Sequence, residues 1–184
     1  RFAWLMGELY NEVEQREEWL ELAQRTIDFV DQFGFDPDDG RMWFHLTRDG
    51  RPIRKRRYPF TESFAAIAYG ELAKATGKSV YADRARHCFS AFVDHFTTPG
   101  KMTPKFTDVR PMQGIAFPMI TLATAQELRD SVGLREADSW IMRSIETIRR
   151  DHVKPDIRCV METVAPGGAI INTFGNFVVG GNMV

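Results

Sequence analysis

Cysteine is nearly missing from this sequence: Cys88 and Cys159 are its only thiols and lie 71 positions apart. A disulfide framework of the kind that staples small secreted domains is excluded, and two thiols without metal-like spacing point to a reducing, cytoplasmic setting. Long apolar runs are missing too. No stretch approaches the ~20 residues that a membrane-crossing helix needs, and the first residues lack the basic, apolar and small-residue succession of a secretory signal. Charge of one sign is not in excess, because 24 basic side chains face 25 acidic ones. That balance argues against nucleic acid or an anionic membrane as a partner. Among the four histidines no pair has the spacing of a metal site. The chain also has no nucleophile elbow and no glycine loop that would cradle phosphate.

What is present is helical periodicity. In Gln15–Phe33 the apolar residues Trp19, Leu22, Ala23, Thr26, Ile27, Val30 and Phe33 recur at i, i+3, i+4, with Glu17, Glu18, Glu21, Gln24 and Asp28 opposite. Ser79–Phe96 and Ala137–Asp151 repeat that amphipathic design. Between them, Ser63–Ala75 and Ile115–Leu128 are apolar nearly all round and rich in small residues, and Arg1–Tyr10 looks like the tail of another such helix. A helix without a polar face is one surrounded by protein. The buried helices begin near positions 1, 62, 115 and 180, which gives a repeat of roughly 55–65 residues, one buried and one surface helix per unit. The chain predicts an all-α fold in which such units stack or close into a ring, with one domain spanning 1–184 and about three units present. Both ends fall within apolar segments without flanking caps, so a fragment with an exposed apolar flank is expected.

Two hairpins are predicted between the units. Met42–Leu46 and Pro52–Arg56 flank Asp49-Gly50, and Cys159–Val164 and Ala169–Phe174 flank Pro166-Gly167-Gly168. They project on the side from which the buried helices start, which builds a cleft at one mouth of the ring. The run Arg51–Arg57 has the composition of a nucleic-acid patch, but without aromatic interleaving or general positive charge it is read as a solvated return strand, with Arg57 alone placed to face the cleft. His87, His95 and His152 fall at surface or capping positions, and His45 lies on the first hairpin. Thr61 is placed to cap the buried helix that Glu62 enters. Arg1 opens an apolar helix beside Phe2, Trp4 and Leu5, so it needs a carboxylate, a polar ligand or a cavity.

The stretch from Phe44 to Gly77, FHLTRDGRPIRKRRYPFTESFAAIAYGELAKATG, resembles the N-acylglucosamine 2-epimerase family, in which a DG-P hairpin and a basic strand lead into a Ser/Thr-Glu helix ending EL-x-x-ATG. Phe117-Pro118-Met119 and Met161-Glu162-Thr163 match further family elements in order. The resemblance implies an (α/α)6 barrel and inversion of an aldose at carbon 2, by proton removal and return next to the carbonyl. It implies no metal and no cofactor, a sugar as the small-molecule ligand, and compatibility with a homodimer. The two family histidines that move the proton belong to the second half of the barrel, so no catalytic residue is expected in this chain. Arg1 and Glu62 fall where the family has a sugar-contacting arginine and a helix-start glutamate. Asn182 stands where the family's Asn-Pro-Gly-His has histidine; asparagine can hydrogen-bond a hydroxyl but is no base near neutral pH. The same barrel could serve an aldose–ketose isomerase that shares the enediol intermediate, or a carbohydrate- or partner-binding protein without catalysis. A sugar hydrolase would need paired carboxylic acids in the cleft, which Glu62 alone does not supply.

Overall fold

A computed structural model describes residues 1–171. Three helical pairs follow one another: α1 (Phe2–Glu12) with α2 (Glu17–Phe33), α3 (Phe60–Thr76) with α4 (Ser79–Thr97), and α5 (Ala116–Val132) with α6 (Ala137–Thr147). The odd-numbered helices line up side by side, with α3 packed between α1 and α5, and the even-numbered ones cover them. Composition explains this division. Helix α3 buries ten of its 17 residues, among them Ala65, Ala66, Ala68, Tyr69 and Leu72, because small side chains let neighbours approach from several directions. Helix α2 buries only Leu20, Ala23 and Ile27; its apolar stripe is centred one step from the expected one, leaving Leu22 exposed. Where α1 crosses α3, a Cβ added to Gly7 would lie 2.7 Å from the Cβ of Glu71, so any larger residue there must push the two helices apart. No helix among the described residues is long and apolar enough to cross a membrane.

The connections carry short strands. β1 (His45–Leu46) pairs with β2 (Pro52–Arg54) around the turn at Asp49-Gly50, as the sequence predicts. Of the second expected hairpin, residues 172–174 lie outside the described residues, and its first strand, Cys159–Val164, divides in two. β3 (Gln113–Gly114) pairs antiparallel with β6 (Thr163–Val164), and β4 (Val153–Lys154) with β5 (Cys159–Val160). A turn does close at Pro166-Gly167-Gly168, with the Ala165 amide donating to the Ala169 carbonyl at 2.9 Å, but Thr163 and Val164 are already bonded to the residues before α5. A π-helical turn, Ile148–His152, ends α6 and directs His152 inward. His152 is 1% exposed and bonds the Met161 carbonyl through Nδ1 at 2.8 Å, which corrects the surface role expected of it. Thr61 is also corrected: α3 begins at Phe60, so Thr61 lies inside the first turn and no side chain caps the helix.

Candidate functional site at the start of the buried helices

Helices α1, α3 and α5 lie side by side, and a cavity of about 530 Å³ opens along them, lined by the first turn of α1 and by later turns of α3 and α5. Its wall is apolar: Phe2 and Leu5 from α1, Phe64 and Ile67 from α3, Met119 and Ala123 from α5. The one cation that lines it among the described residues is Arg1, whose guanidinium carbon lies 4.0 Å from the centroid of the Phe64 ring. A guanidinium stacked on a phenyl face is held electrostatically while its N–H edges stay free to donate. The cavity also holds one carboxylate, Glu127, fixed by a 3.0 Å hydrogen bond from the Trp4 indole. A donor fork, an acceptor and an aromatic wall suit a small polyol, whose C–H faces prefer apolar contact and whose hydroxyls need both kinds of partner.

Behind Glu127 lie Glu8 and Glu71, and a carboxylate oxygen from each of the three comes within 4.8 Å of the others. Glu71 is 3% exposed and receives the Asn11 amide at 2.7 Å. Burial, with Glu8 and Glu127 adding like charge, raises the Glu71 carboxyl above its usual range against the pull of that hydrogen bond; Glu8 is raised by burial and then by Glu127 and Glu12. Such a set has the ligand type for a hard divalent cation, but crowded carboxyls also relieve themselves by holding a proton. A pKa raised in the folded state gives stability that is fully present below the unfolded value, near 4.5, and is lost as pH rises through the folded one. Stability of the wild-type protein should therefore fall from mildly acidic pH toward neutrality, and Glu71→Gln should flatten the profile. Urea unfolding across that range checks this; parallel profiles for the two proteins would refute it.

Glu62 is not part of this cavity. Two residues before Phe64, it sits on the opposite side of α3, 1% exposed, with Oε1 accepting from Arg41 Nε at 2.5 Å and from the Met42 amide at 3.0 Å. Its Oε2 has no hydrogen-bond partner among the described residues. Arg41 also donates to His95 Nε2 at 2.9 Å, which fixes the histidine as acceptor. Burial and the Arg41 charge lower the His95 pKa, so the ring is neutral near pH 7. The structure thus separates the two expected site residues it describes, and Asn182 lies outside the described residues. Arg57 donates to the Pro104 carbonyl at 3.1 Å. His45 is exposed on its hairpin, and no described histidine lines the Arg1 cavity.

A second cavity, of about 380 Å³, lies at the starts of α3 and α5, walled by Tyr58, Phe60, Phe96, Phe106 and Phe117 with Glu162 and Thr163 beside them. Sequence reasoning missed Phe64, Glu127 and the glutamates behind it. A signal was there: Glu8, Glu71 and Glu127 are charges in apolar helices, 63 and 56 positions apart, which is the repeat length itself.

Known proteins bear on this arrangement. The family model described as N-acylglucosamine 2-epimerase (GlcNAc 2-epimerase) matches residues 1–104. The N-acylglucosamine 2-epimerase of Homo sapiens is 28% identical over 179 residues, covering 91% of this chain and 41% of its own length. Among solved structures, cellobiose 2-epimerase from Bacillus thermoamylovorans B4167 superposes with a TM-score of 0.78 at 13% identity, over 92% of this chain and 48% of that one. The cellobiose 2-epimerase from Spirochaeta thermophila does so with a TM-score of 0.74 at 16% identity, over 92% and 46%. Those neighbours are (α/α)6 barrels, and the three helical pairs described here have that fold. The chain spans about two fifths of the length of the curated relatives it matches.

Proposed function

The chain belongs to the N-acylglucosamine 2-epimerase family, and from that premise we propose that the protein is a sugar 2-epimerase of the N-acylglucosamine type. The observation that supports the reading best is the Arg1 guanidinium, held over Phe64 in a cavity whose other charged group among the described residues is Glu127. Inverting a carbon next to a carbonyl requires a base, an acid on the opposite face, and donors to the oxygen where enediolate charge develops. In this reading Arg1 is such a donor or grips a neighbouring hydroxyl, and the Phe64 face packs the sugar's C–H side. Asn182 offers a further hydrogen bond. Glu62 acts from behind, by holding Arg41 and the segment that precedes the first hairpin. The two proton-moving histidines belong to the part of the barrel beyond these three units. The chemistry needs no metal or cofactor, the ligand is a free sugar, and the free thiols agree with a cytoplasmic setting in which a homodimer is admissible.

The test uses the full-length protein with N-acetylmannosamine, mannose and cellobiose in deuterated water, followed by NMR. Deuterium at carbon 2 of an aldose product supports the proposal; a ketose product would make the protein an isomerase, and no exchange would make it a binding protein. Replacing Arg1 with alanine should weaken sugar affinity by roughly tenfold or more, the worth of a charged hydrogen bond, with little change in stability. Titration calorimetry measures the affinity, and an unchanged value removes Arg1 from the site.

A further inference from the structure

We propose that the β1–β2 hairpin is a docking edge for an extended acidic peptide segment. Residues 41–57 carry seven basic side chains and one acidic one, a net charge of +6, so the rest of a chain whose net charge is −1 carries −7. Neutrality overall hides this segregation. Folding neutralises part of the run: Arg41 binds Glu62, Arg51 binds Asp49, and Lys55 is held by Asp36 and by Asp39 at 2.9 Å. It leaves Arg48, Arg54, Arg56 and Arg57 exposed without a carboxylate partner among the described residues, Arg57 donating instead to the Pro104 carbonyl.

Those that remain are organised. Just past the end of β2, Lys55 lies against the body of the protein, 4.5 Å from the Trp43 ring. Arg54 and Arg56 share one ring, Phe44, with their guanidinium carbons 5.3 and 4.1 Å from its centroid. Phe44 is itself 47% exposed. The aromatic interleaving that the sequence conceals is thus created by pairing β1 with β2. Two guanidiniums stacked on a phenyl lose side-chain freedom before any ligand arrives, and their N–H edges remain open for bidentate contact with oxyanions.

The backbone decides between kinds of polyanion. Among the described residues β2 pairs only with β1 and its other edge has no strand against it, and its residues are exposed throughout. An added strand would present alternate side chains at a spacing of about 6.7 Å, and Arg54 and Arg56, two positions apart, share the Phe44 ring. Carboxylates at i and i+2 of such a strand meet the two guanidiniums while its amides bond the open edge. A nucleic acid could use the charges but not the edge. A second copy of the hairpin is refused by like charge, which is how edge strands avoid pairing with themselves.

The experiment is fluorescence anisotropy with a labelled peptide of about ten residues alternating glutamate and threonine. Three comparisons are made: the same peptide N-methylated at alternate amides, the Arg54→Glu/Arg56→Glu variant, and oligothymidylate as a polyanion without amides. Saturable binding that weakens by about tenfold with both the methylated peptide and the variant supports the proposal. Methylation requires no change in the protein, so a folding defect in the variant cannot mimic that result. No binding at low salt, equal binding of the methylated peptide, or tighter binding of oligothymidylate would each overturn it.

Discussion

Replacing Glu62 with alanine should lower the free energy of unfolding by about 3–5 kcal/mol, the cost of stranding one member of a buried ion pair. The side chain is 2% exposed and that of Arg41 is 14% exposed, so water screens neither. Its Oε1 is the common acceptor for the Arg41 guanidinium and the Met42 amide. Truncation leaves the Met42 amide unpaired and strips the Arg41 guanidinium of its carboxylate, leaving it only His95 and the Arg56 carbonyl, next to Met42, which is itself in the core. Against a typical total stability of about 5–15 kcal/mol, the loss is a large fraction. Two further variants make the argument specific. Glu62→Gln keeps an acceptor for both donors but turns the already unpartnered Oε2 position into an N–H₂ group that needs an acceptor, so it should fall between wild type and alanine. Arg41→Ala with Glu62→Ala should cost less than the two single changes added together, because the pair is then removed whole. Urea unfolding measures all four proteins. A loss under about 1 kcal/mol for Glu62→Ala, the level of an exposed pair, would mean that Glu62 does not organise the segment from Asp36 to Met42.

The Glu62 result also shows where the sequence was legible. Every long helix could be placed from periodicity, because the apolar stripes of α2, α4 and α6 and the all-round apolarity of α3 and α5 are local properties. Asp49-Gly50 marked the first hairpin for the same reason. The second connection was legible only in part: β6 pairs with β3, about fifty positions away in the chain, and local turn chemistry at Gly167-Gly168 says nothing about so distant a partner, while residues 172–174 of the expected return strand lie outside the described residues. Glu62 was legible as a charge that must be satisfied, but its direction was not. Residues 62 and 64 lie some 200° apart around a helix, and when every face of α3 is apolar no stripe shows which one looks into the cavity. His152 was hidden by the π-helical turn, which rotates the end of α6 relative to an ideal helix. The basic run reads as a solvated return strand because no aromatic falls within it; its aromatic partner Phe44 comes from just before β1, out of reach of a pattern read along one segment.

The other large effect should come from Phe92. Its ring is 0% exposed and meets Phe60 and Phe117 with centroids 6.3 and 5.7 Å away, Phe89 at 6.3 Å, and Phe96 edge-on at 5.5 Å. One side chain of a covering helix thus supports the first turns of two buried helices, α3 and α5, which also wall the aromatic cavity at the mouth. Phe92→Ala should cost about 3–5 kcal/mol, the lost transfer energy plus the void. The rings around it belong to three helices and cannot all collapse into the space. Phe92→Leu restores most of the volume and should recover more than half of that loss. Val109→Ala, at a site 95% exposed, should stay within about 0.5 kcal/mol and serves as the control. The functional consequence follows from position. Phe60 and Phe117 would settle into the void, so Phe92→Ala should weaken sugar binding although Phe92 lines neither cavity, and Phe92→Leu should restore affinity along with stability. Denaturant unfolding and calorimetric titration of the full-length protein test both halves. A destabilised Phe92→Ala protein with wild-type affinity would show that the aromatic cavity at the starts of α3 and α5 takes no part in holding the ligand.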